Sequence, residues 1–358
     1  MTDVHILSPG FATSNSGAFL FPIIRYRTSL ESIGVRCRVF ESITPNLTEC
    51  DVLIIDSKHY RNAWSDGEDV VLDELSDLHD KANRLFWFDT TDGTGTLQTA
   101  VLPIVDRYYK GQLVKDRSTY LRALYGMRIY TDYYHRKYGV EDDPPANSNP
   151  VQSNEELKKL ALSWNFGLAN WEVRGPLRAR LYRHIGWRKI LQPPRRWIRP
   201  SADRGLKMSS RFSANYYRAT VRFQRQKIRE ILSDYVSTQR IPRREYFSEM
   251  EQSIVTVSPF GWGEMCYRDF EAFLSGCALV KPSMSHLETW PNFYQDGVTY
   301  LSHNWDLEDL SNLVERIYED PGEYLAIAKQ GQNVYKTFML GEQARDAFVS
   351  RFTTILNG

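Results

Sequence analysis

The spacing of apolar positions along the chain switches between continuous runs typical of buried strands and the wider spacing of amphipathic helices. In the first part of the chain, apolar runs predict strands at residues 4–8, 35–40, 51–56 and 84–88. Helical spacing between them predicts helices over residues 19–33 and 68–82. This alternation predicts an α/β fold with a mostly parallel sheet, whose ligand-binding loops follow the strands.

The same alternation resumes near Leu206 and predicts a second α/β unit. A helix is predicted over residues 222–232, followed by strands at residues 254–258, 278–280 and 297–301. Residues 306–317 have clear amphipathic spacing, with Asp306 as the predicted N-cap. Two further helices are predicted over residues 321–332 and 342–356.

Residues 257–282 form the most informative segment, because strand, glycine loop, helix, glycine and apolar strand follow one another. Gly261 and Gly263 allow the backbone to approach a bulky ligand closely. The helix that follows directs its free N–H groups and the positive end of its dipole at that ligand, and Gly276 ends it. Such a unit suits a diphosphate held together with a sugar hydroxyl.

This segment resembles the donor-binding signature of GT-B-fold glycosyltransferases, including exostosin-like and related nucleotide-sugar enzymes. The resemblance is strongest over residues 251–340 and rests on three stretches: Gly261-x-Gly263-Glu264, Arg268-x-x-Glu271-Ala272 and Ser275-Gly276-Cys277-Ala278. In that superfamily the glutamate at the position of Glu271 grips the ribose hydroxyls of the nucleotide. Six residues separate Glu264 from Glu271, whereas many retaining members have seven, so the stereochemistry stays open. The alternative is an ordinary βαβ unit whose glycines serve packing.

The resemblance implies two Rossmann-like domains that face an interdomain cleft, with a C-terminal helix crossing back to the first domain. We place the acceptor-side domain at residues 1–165, a basic linker at 166–204, the nucleotide-sugar domain at 205–335 and the returning helix at 336–358. A length of 358 residues fits two α/β domains.

Composition indicates the cellular compartment of the protein more than it indicates its chemistry. The formal net charge of +1 favours neither anionic nor cationic partners, and the mean hydropathy is −0.47. Four scattered cysteines without metal-ligand spacing are typical of a reducing compartment. With no signal-peptide pattern at the start and no long apolar run, we expect a cytoplasmic protein, or one peripheral at the inner membrane face. No cofactor and no metal is predicted, since the donor motif belongs to a metal-independent class.

Two carboxylates follow the predicted strand 84–88 and are the candidates for the catalytic base. Asp89 and Asp92 lie in a loop of small residues that ends at Gly95, where a strand end faces the expected cleft. The alternative is a turn in which these aspartates only cap the next helix.

Three basic side chains are candidates for binding the donor. Arg211 follows the first predicted strand of the second unit, and Arg268 lies one turn before Glu271; either would grip phosphate oxygens. Surface ion pairs are the alternative for both. His286 follows another strand and is a candidate contact to the donor sugar or base, with a structural histidine as the alternative.

Residues 174–199 contain basic and apolar side chains but no acid. We consider four roles for this stretch: an interdomain linker over the cleft, a site for an anionic acceptor, a surface that lies on an anionic membrane, and a solvated basic face. Nucleic acid is not expected, because no known nucleic-acid module accompanies these residues. The basic side chains are Arg174, Arg178, Arg180, Arg183, Arg188, Lys189, Arg195, Arg196 and Arg199.

The sequence thus predicts a glycosyltransferase that moves a sugar from a nucleotide-sugar to a glycan or lipid-linked acceptor, in bacterial surface polysaccharide synthesis. Two alternatives remain open at this point: a non-catalytic nucleotide- or glycan-binding protein on the same fold, and a nucleotide-sugar epimerase.

Overall fold

The computed structural model describes residues 1–65 and 67–358. Its strands, numbered along the chain, are β1 (Thr2–Leu7), β2 (Val35–Phe40), β3 (Val52–Asp56), β4 (Leu85–Asp89), β5 (Arg107–Lys110), β6 (Gln112–Val114), β7 (Leu160–Leu162), β8 (Leu206–Ser209), β9 (Ser253–Val257), β10 (Ala278–Pro282), β11 (Leu287–Thr289) and β12 (Leu301–His303).

The strands alternate with α-helices along most of the chain. The α-helices are α1 (Ser14–Arg25), α2 (Arg27–Ser32), α3 (Glu68–Lys81), α4 (Ile129–Tyr138), α5 (Asn154–Lys159), α6 (Gly175–Ile185), α7 (Ala219–Leu232), α8 (Arg243–Gln252), α9 (Tyr267–Ser275), α10 (Leu310–Glu319), α11 (Leu325–Met339) and α12 (Gly341–Asn357). Short 3-10 helices cover Gly10–Ala12, Ala63–Ser65, Thr99–Val101, Arg117–Leu121, Phe166–Leu168, Arg188–Ile190 and Pro321–Tyr324.

Two parallel sheets organise these elements, and the predicted α/β class is confirmed. The first sheet has the strand order β2-β1-β3-β4-β5-β7, and the second has the order β12-β10-β9-β8. β3 and β4 are buried along their whole length, as continuous apolar strands in a parallel sheet covered on both faces must be. The loops that follow β4, β8 and β9 meet between the sheets.

A short antiparallel strand pair joins the two halves of the chain. β6 belongs to the first half and β11 to the second, and they pair from Leu287 opposite Val114 to Thr289 opposite Gln112. The Lys115 N–H continues this ladder by donating to the His286 carbonyl at 2.9 Å. The two halves of the chain are therefore bonded to each other through backbone as well as side chains.

The C-terminal helix α12 returns to the first sheet, as the GT-B resemblance implies. The Tyr109 hydroxyl of β5 donates to the Ile355 carbonyl at 3.0 Å, and Phe348 and Phe352 pack on Trp164 at 5.2 and 5.8 Å between ring centroids. The preceding helix α11 packs on β10 and α9 of the second sheet. The boundary predicted between residues 335 and 336 falls inside α11.

The predicted strand at residues 297–301 is wrong. Gly297 has a left-handed backbone with φ of 69°, and its N–H donates to the Tyr300 carbonyl at 2.9 Å, so this segment is a turn. The strand begins only at its last residue, as β12. Val298 and Tyr300 look like strand residues in the sequence, but the turn places Tyr300 in the core.

Two predicted helix starts also differ from the structure. The helix predicted from Asp306 begins at Leu310, because Leu307 has a left-handed backbone with φ of 69°, which a helix cannot pass through. The Asp306 carboxylate accepts from the Glu308 N–H at 3.2 Å and pairs with Lys137 of α4 at 3.0 Å. The first helix begins earlier than predicted, at Ser14, and is divided from α2 at Tyr26. Neither start can be deduced from the spacing of apolar residues.

We predict that replacing Phe352 by alanine destabilises the whole protein rather than only its C-terminal helix. The Phe352 ring is fully buried against Trp164 and Phe348, so its removal leaves a cavity in the core of the first sheet. The expected loss is about 3–5 kcal/mol in the free energy of unfolding, measured by urea denaturation. Ser350→Ala, an exposed position on the same helix, should change it by less than about 0.5 kcal/mol. A similarly small effect of Phe352→Ala would show that α12 does not belong to this core.

Candidate functional site

A cleft of about 660 Å³ lies between the two sheets and is the candidate site. Its walls come mainly from the second half of the chain: the loop after β8, the loop after β9, the start of α8 and the helix α9. Asp92 and Phe166 line it from the first half. Loops that follow parallel strands therefore build the cleft, as the alternation of strands and helices predicts.

The glycine loop after β9 contacts the first half of the chain as well as the cleft. A Cβ atom on Gly263 would lie 2.7 Å from the backbone nitrogen of Gly93, so the two loops meet where neither has a side chain. A Cβ on Gly261 would have only ordinary contacts, the closest at 3.4 Å from Cys266 Sγ. The Tyr130 hydroxyl donates to the Gly261 carbonyl at 2.5 Å. Both glycines line the cleft, but the space beside Gly263 is occupied by protein.

Helix α9 begins at the floor of the cleft and is held there by a buried carboxylate. Asp269 accepts hydrogen bonds from the Cys266 N–H at 3.0 Å and from the Ser258 hydroxyl at 2.6 Å. Lys281 lies 3.2 Å from the same carboxylate and is fully buried with it. This network fixes the N-terminal end of the helix, whose N–H groups and dipole favour an anion in the cleft.

Glu271 lies in α9 with its carboxylate at the cleft wall. Its Oε1 accepts from Arg243 at 3.1 Å and its Oε2 from the Tyr246 hydroxyl at 2.8 Å. A carboxylate offers about four lone-pair positions, so two remain for ligand hydroxyls. Burial raises the pKa of Glu271, while Arg243 and Tyr246 oppose that rise.

Five arginines line the cleft, and they differ in how their charge is balanced. Arg211 is paired with Glu249 at 2.6 Å, and Arg243 with Glu271. The other three have no carboxylate within 4.0 Å among the described residues: Arg225, Arg240 and Arg268. An unbalanced cluster of guanidinium groups at the start of a helix favours an anionic ligand with several oxygens, such as a diphosphate.

The predicted phosphate-binding residues Arg211 and Arg268 meet in this cluster. Arg268 donates to the Arg211 carbonyl at 2.6 Å, and its Nε is buried without a hydrogen-bond partner among the described residues. Arg211 uses Nε and Nη2 on Glu249, and its Nη1 donates to the Gln239 carbonyl at 3.1 Å. Arg268, which lines the cleft, thus keeps unused donors within the described part of the chain, whereas those of Arg211 are largely occupied.

The two candidate catalytic aspartates have different surroundings. The Asp89 carboxylate is fully buried and accepts from Lys110 at 2.6 Å, from the Tyr108 hydroxyl at 2.7 Å and from the Thr91 hydroxyl at 2.6 Å. Asp92 is exposed in the cleft, and Asn15 Nδ2, at 3.1 Å, is its only hydrogen-bond donor among the described residues. Of the two, Asp92 alone has a carboxylate free to meet a substrate hydroxyl.

The predicted donor residues Glu264 and His286 lie together beneath the cleft rather than on its wall. Glu264 Oε2 accepts from the Thr94 N–H at 2.8 Å, and Oε1 lies 3.7 Å from His286 Nε2. Burial alone would raise the pKa of Glu264, but His286 and the Thr94 N–H outweigh it and hold that pKa below its ordinary value. The His286 ring packs edge-on against Trp305 at 4.8 Å. The Glu264 side chain joins the two halves of the chain, and His286 does so through its backbone carbonyl, which accepts from the Lys115 N–H.

Sequence reasoning missed several side chains of the cleft. Arg225 had a usable signal: with Val221, Ile228 and Leu232 it shares the buried face of α7, where a charged residue is out of place. It is 4% exposed, and burial lowers its pKa. The sequence gives no comparable signal for Arg240 or for the aromatic pair of Tyr217 and Trp262, whose ring centroids are 5.1 Å apart. These residues lie in loops that meet only in the folded chain.

No helix within residues 1–65 or 67–358 combines the length and apolarity that a membrane crossing requires.

Several solved structures resemble this chain over their full length. HepE from Anabaena, in a complex with UDP and glucose, matches with a TM-score of 0.49 at 10% identity, covering 100% of both chains. A glycosyltransferase from Rickettsia africae matches at 0.46 and 8%, covering 99% of this chain and 98% of its own. Sucrose-phosphate synthase from Thermosynechococcus elongatus matches at 0.46 and 10%, covering 100% of both chains. At these identities and TM-scores no substrate and no residue role transfers to this chain.

No protein-family model matches the chain, and no curated protein matches it.

We predict that Gly263→Ala destabilises the protein, whereas Gly261→Ala is tolerated. The added methyl at residue 263 meets the Gly93 backbone, which must shift, at an expected cost of about 1–3 kcal/mol in the free energy of unfolding. At residue 261 the methyl makes ordinary contacts, and we expect a change below about 1 kcal/mol. Urea denaturation of both variants measures the difference. Equal stabilities would contradict the tight contact between the two loops.

We predict that Glu264→Gln removes a stabilisation that depends on pH. Because the folded-state pKa of Glu264 is lowered, its ionised form stabilises the protein above the ordinary pKa of about 4.3, and this contribution fades as the pH falls through the folded-state value. The stability difference between wild type and variant should therefore be largest near neutrality and shrink on acidification. Glu323→Gln, at an exposed carboxyl, is the control and should give a small constant difference. A constant difference for Glu264→Gln would be inconsistent with this ionisation.

Proposed function

We propose that this protein is a glycosyltransferase that uses a nucleotide-sugar donor. One observation carries the proposal: Arg225, Arg240 and Arg268 line one cleft with no carboxylate of the described residues within 4.0 Å, beside the N-terminal end of α9 and the Glu271 carboxylate. A nucleoside diphosphate carries an anionic diphosphate and a ribose diol close together in one small molecule. The cleft offers cations for the first and a carboxylate for the second.

The donor diphosphate binds at the arginine cluster in this proposal. Arg240 and Arg268 donate to its phosphate oxygens, Arg225 adds a buried positive charge behind them, and Arg211 contributes long-range charge while it stays paired with Glu249. Glu271 accepts from the ribose hydroxyls on its two remaining lone-pair positions. Charge that develops on the leaving diphosphate is neutralised by guanidinium groups and the helix dipole, so transfer needs no metal ion.

Asp92 is the base in this proposal, and transfer proceeds with inversion. The acceptor hydroxyl attacks the anomeric carbon as its proton passes to the Asp92 carboxylate, and the nucleoside diphosphate leaves on the opposite side. Asn15, which donates to Asp92 and also to the Thr90 carbonyl at 2.7 Å, fixes the orientation of the carboxylate. Asp89 takes no proton here: its ion pair with Lys110 holds the loop that carries Asp92.

The acceptor is a glycan or a lipid-linked glycan, and the setting is synthesis of a bacterial surface polysaccharide. The aromatic rings of Tyr217 and Trp262 at the cleft suit the apolar face of a sugar ring. The two alternatives make different predictions: a binding protein retains the donor unchanged, and an epimerase converts the donor sugar without an acceptor.

We predict that Arg240→Ala weakens donor binding without weakening the fold. Arg240 is exposed and has no hydrogen-bond or ion-pair partner in the described part of the chain, so its loss should leave stability unchanged. A hydrogen bond to a charged group is worth about 1.5–3 kcal/mol, which corresponds to roughly a tenfold to hundredfold weaker affinity. The measurement is a thermal-shift titration with UDP-, GDP-, dTDP-, ADP- and CMP-sugars in EDTA, where wild type at about a hundred times Kd gains roughly 2.7 kcal/mol.

The matched control for this experiment is Arg229→Ala, an exposed arginine on the outer side of α7 that does not line the cleft. It should bind the donor as wild type does. If no nucleotide-sugar shifts the folded wild type, the proposed function is wrong. If a donor binds equally well to Arg240→Ala, the diphosphate lies elsewhere. Binding that requires a divalent metal would overturn the metal-independent part of the proposal.

A further inference from the structure

Helix α6 exposes an apolar stripe to solvent. Leu177, Leu181 and Ile185 recur every four residues on one face of the helix and are 64%, 47% and 54% exposed; Trp187 follows at 57%. A surface helix normally turns such a stripe toward the core. Here the helix packs through its other side, where the ring of Tyr182 lies 4.7 Å from Phe11.

Positive charge surrounds this stripe. Residues 174–199 contain no acid, and the nearby carboxylates of Glu172 and Glu251 are each paired with an arginine, Arg178 and Arg196, at 2.5 Å. Five exposed basic side chains flank the stripe without a carboxylate partner among the described residues. They are Arg174, Arg180, Arg183, Arg188 and Lys189.

A groove of about 700 Å³ runs beside the start of α6. Arg174, Arg195 and Arg244 line it and have no carboxylate within 4.0 Å in the described part of the chain. Its dimensions and charge suit a phosphate headgroup, while the adjacent stripe suits acyl chains. The two features are continuous, since Arg174 immediately precedes α6.

We propose that this basic apolar surface, made of Leu177, Leu181, Ile185, Trp187 and their flanking arginines, docks on an anionic phospholipid bilayer. An interfacial helix that inserts its apolar face while its arginines bind lipid phosphates needs both features. Nucleic acid would use the charge but leave the apolar stripe in water. A second copy of this chain would cover the stripe but bring like charges together.

Docking in this way places the cleft beside the bilayer. Trp171, four residues before α6, stacks on Tyr267 of the cleft wall at 4.0 Å. Arg243 joins the same region to the site, because it donates to the Trp171 carbonyl at 3.3 Å and pairs with Glu271. If the proposed function holds, which this step requires, the bound orientation presents the cleft to an acceptor carried by a membrane lipid. The docking itself does not depend on that function.

Flotation with vesicles tests the proposal. The full-length protein is mixed with vesicles of phosphatidylcholine alone or with about a third phosphatidylglycerol, a fraction that gives the surface a strong negative potential. We expect binding to the anionic vesicles only, weakened by salt. Arg180→Glu with Arg183→Glu should lower partitioning by about thirtyfold or more. The triple change Leu177→Gln, Leu181→Gln and Ile185→Gln should lower it by on the order of tenfold or more.

Matched controls carry the same changes on other exposed positions. Arg229→Glu with Lys329→Glu repeats the charge reversal, and Val70→Gln, Leu121→Gln and Val298→Gln repeat the apolar change; both should partition like wild type. Equal flotation of wild type with neutral and anionic vesicles overturns the proposal, as does unchanged flotation of the two α6 variants. A dimer that the α6 triple change dissolves assigns the stripe to a second copy instead, and release of bound protein by competing RNA assigns the charge to nucleic acid.

The nucleotide-sugar thermal shift of each variant separates this proposal from the proposed function. Variants that lose flotation but keep the donor shift support docking as a property distinct from the cleft. A wild type that floats on anionic vesicles but binds no donor leaves the docking established and the proposed function wrong.

Discussion

The contact between Gly93 and Gly263 is the constraint on which the cleft depends. The two loops approach until a methyl group would lie 2.7 Å from a backbone nitrogen, and this is where the two halves of the chain meet below the site. The β6–β11 ladder and the bond from the Thr94 N–H to Glu264 hold the same junction from one side. Because backbone atoms make much of the contact, the halves cannot slide past each other without losing bonds that water would replace poorly.

This junction helps to make a cleft lined by buried positive charge stable. Burying guanidinium groups costs free energy unless dipoles or counter-charges compensate. Arg225 obtains this compensation from the Phe260 and Ser213 carbonyls, each at 2.6 Å, and Phe260 belongs to the glycine loop that the junction holds in place. Among the described residues, no carboxylate lies within ion-pair distance of Arg225, Arg240 or Arg268. The cleft therefore attracts anions, and the rigid scaffold keeps its arginines from moving to pair with carboxylates of the protein.

Much of this could be predicted from the sequence, and the failures have physical causes. Continuous apolar runs and the glycine that ends α9 identify both parallel sheets and the helix carrying Glu271, because these signals act within a few residues. The contacts of Asn15 with Asp92 and of Asp89 with Lys110 could not be predicted, since these partners are distant in sequence. Arg240 could not be predicted because its loop reaches the cleft only in the folded chain. The ion pair of Asp89 with Lys110 depends on β4 and β5 being neighbours, which single-sequence periodicity does not specify.

Glu264 and Glu271 belong to one sequence motif, but one lies in the junction and the other at the cleft. α9 begins only at Tyr267, so Glu264 precedes the helix and its side chain enters the junction, while Glu271 lies on the helix face that meets the cleft. The result links the two sides of the site. Glu264, in the loop after β9, accepts from the N–H of Thr94, two residues from Asp92, so the position of the proposed base depends on a carboxylate supplied by the second half of the chain. Ionisation of one buried glutamate thereby contributes to the alignment of the loop after β4 with the loop after β9, although that glutamate does not line the cleft.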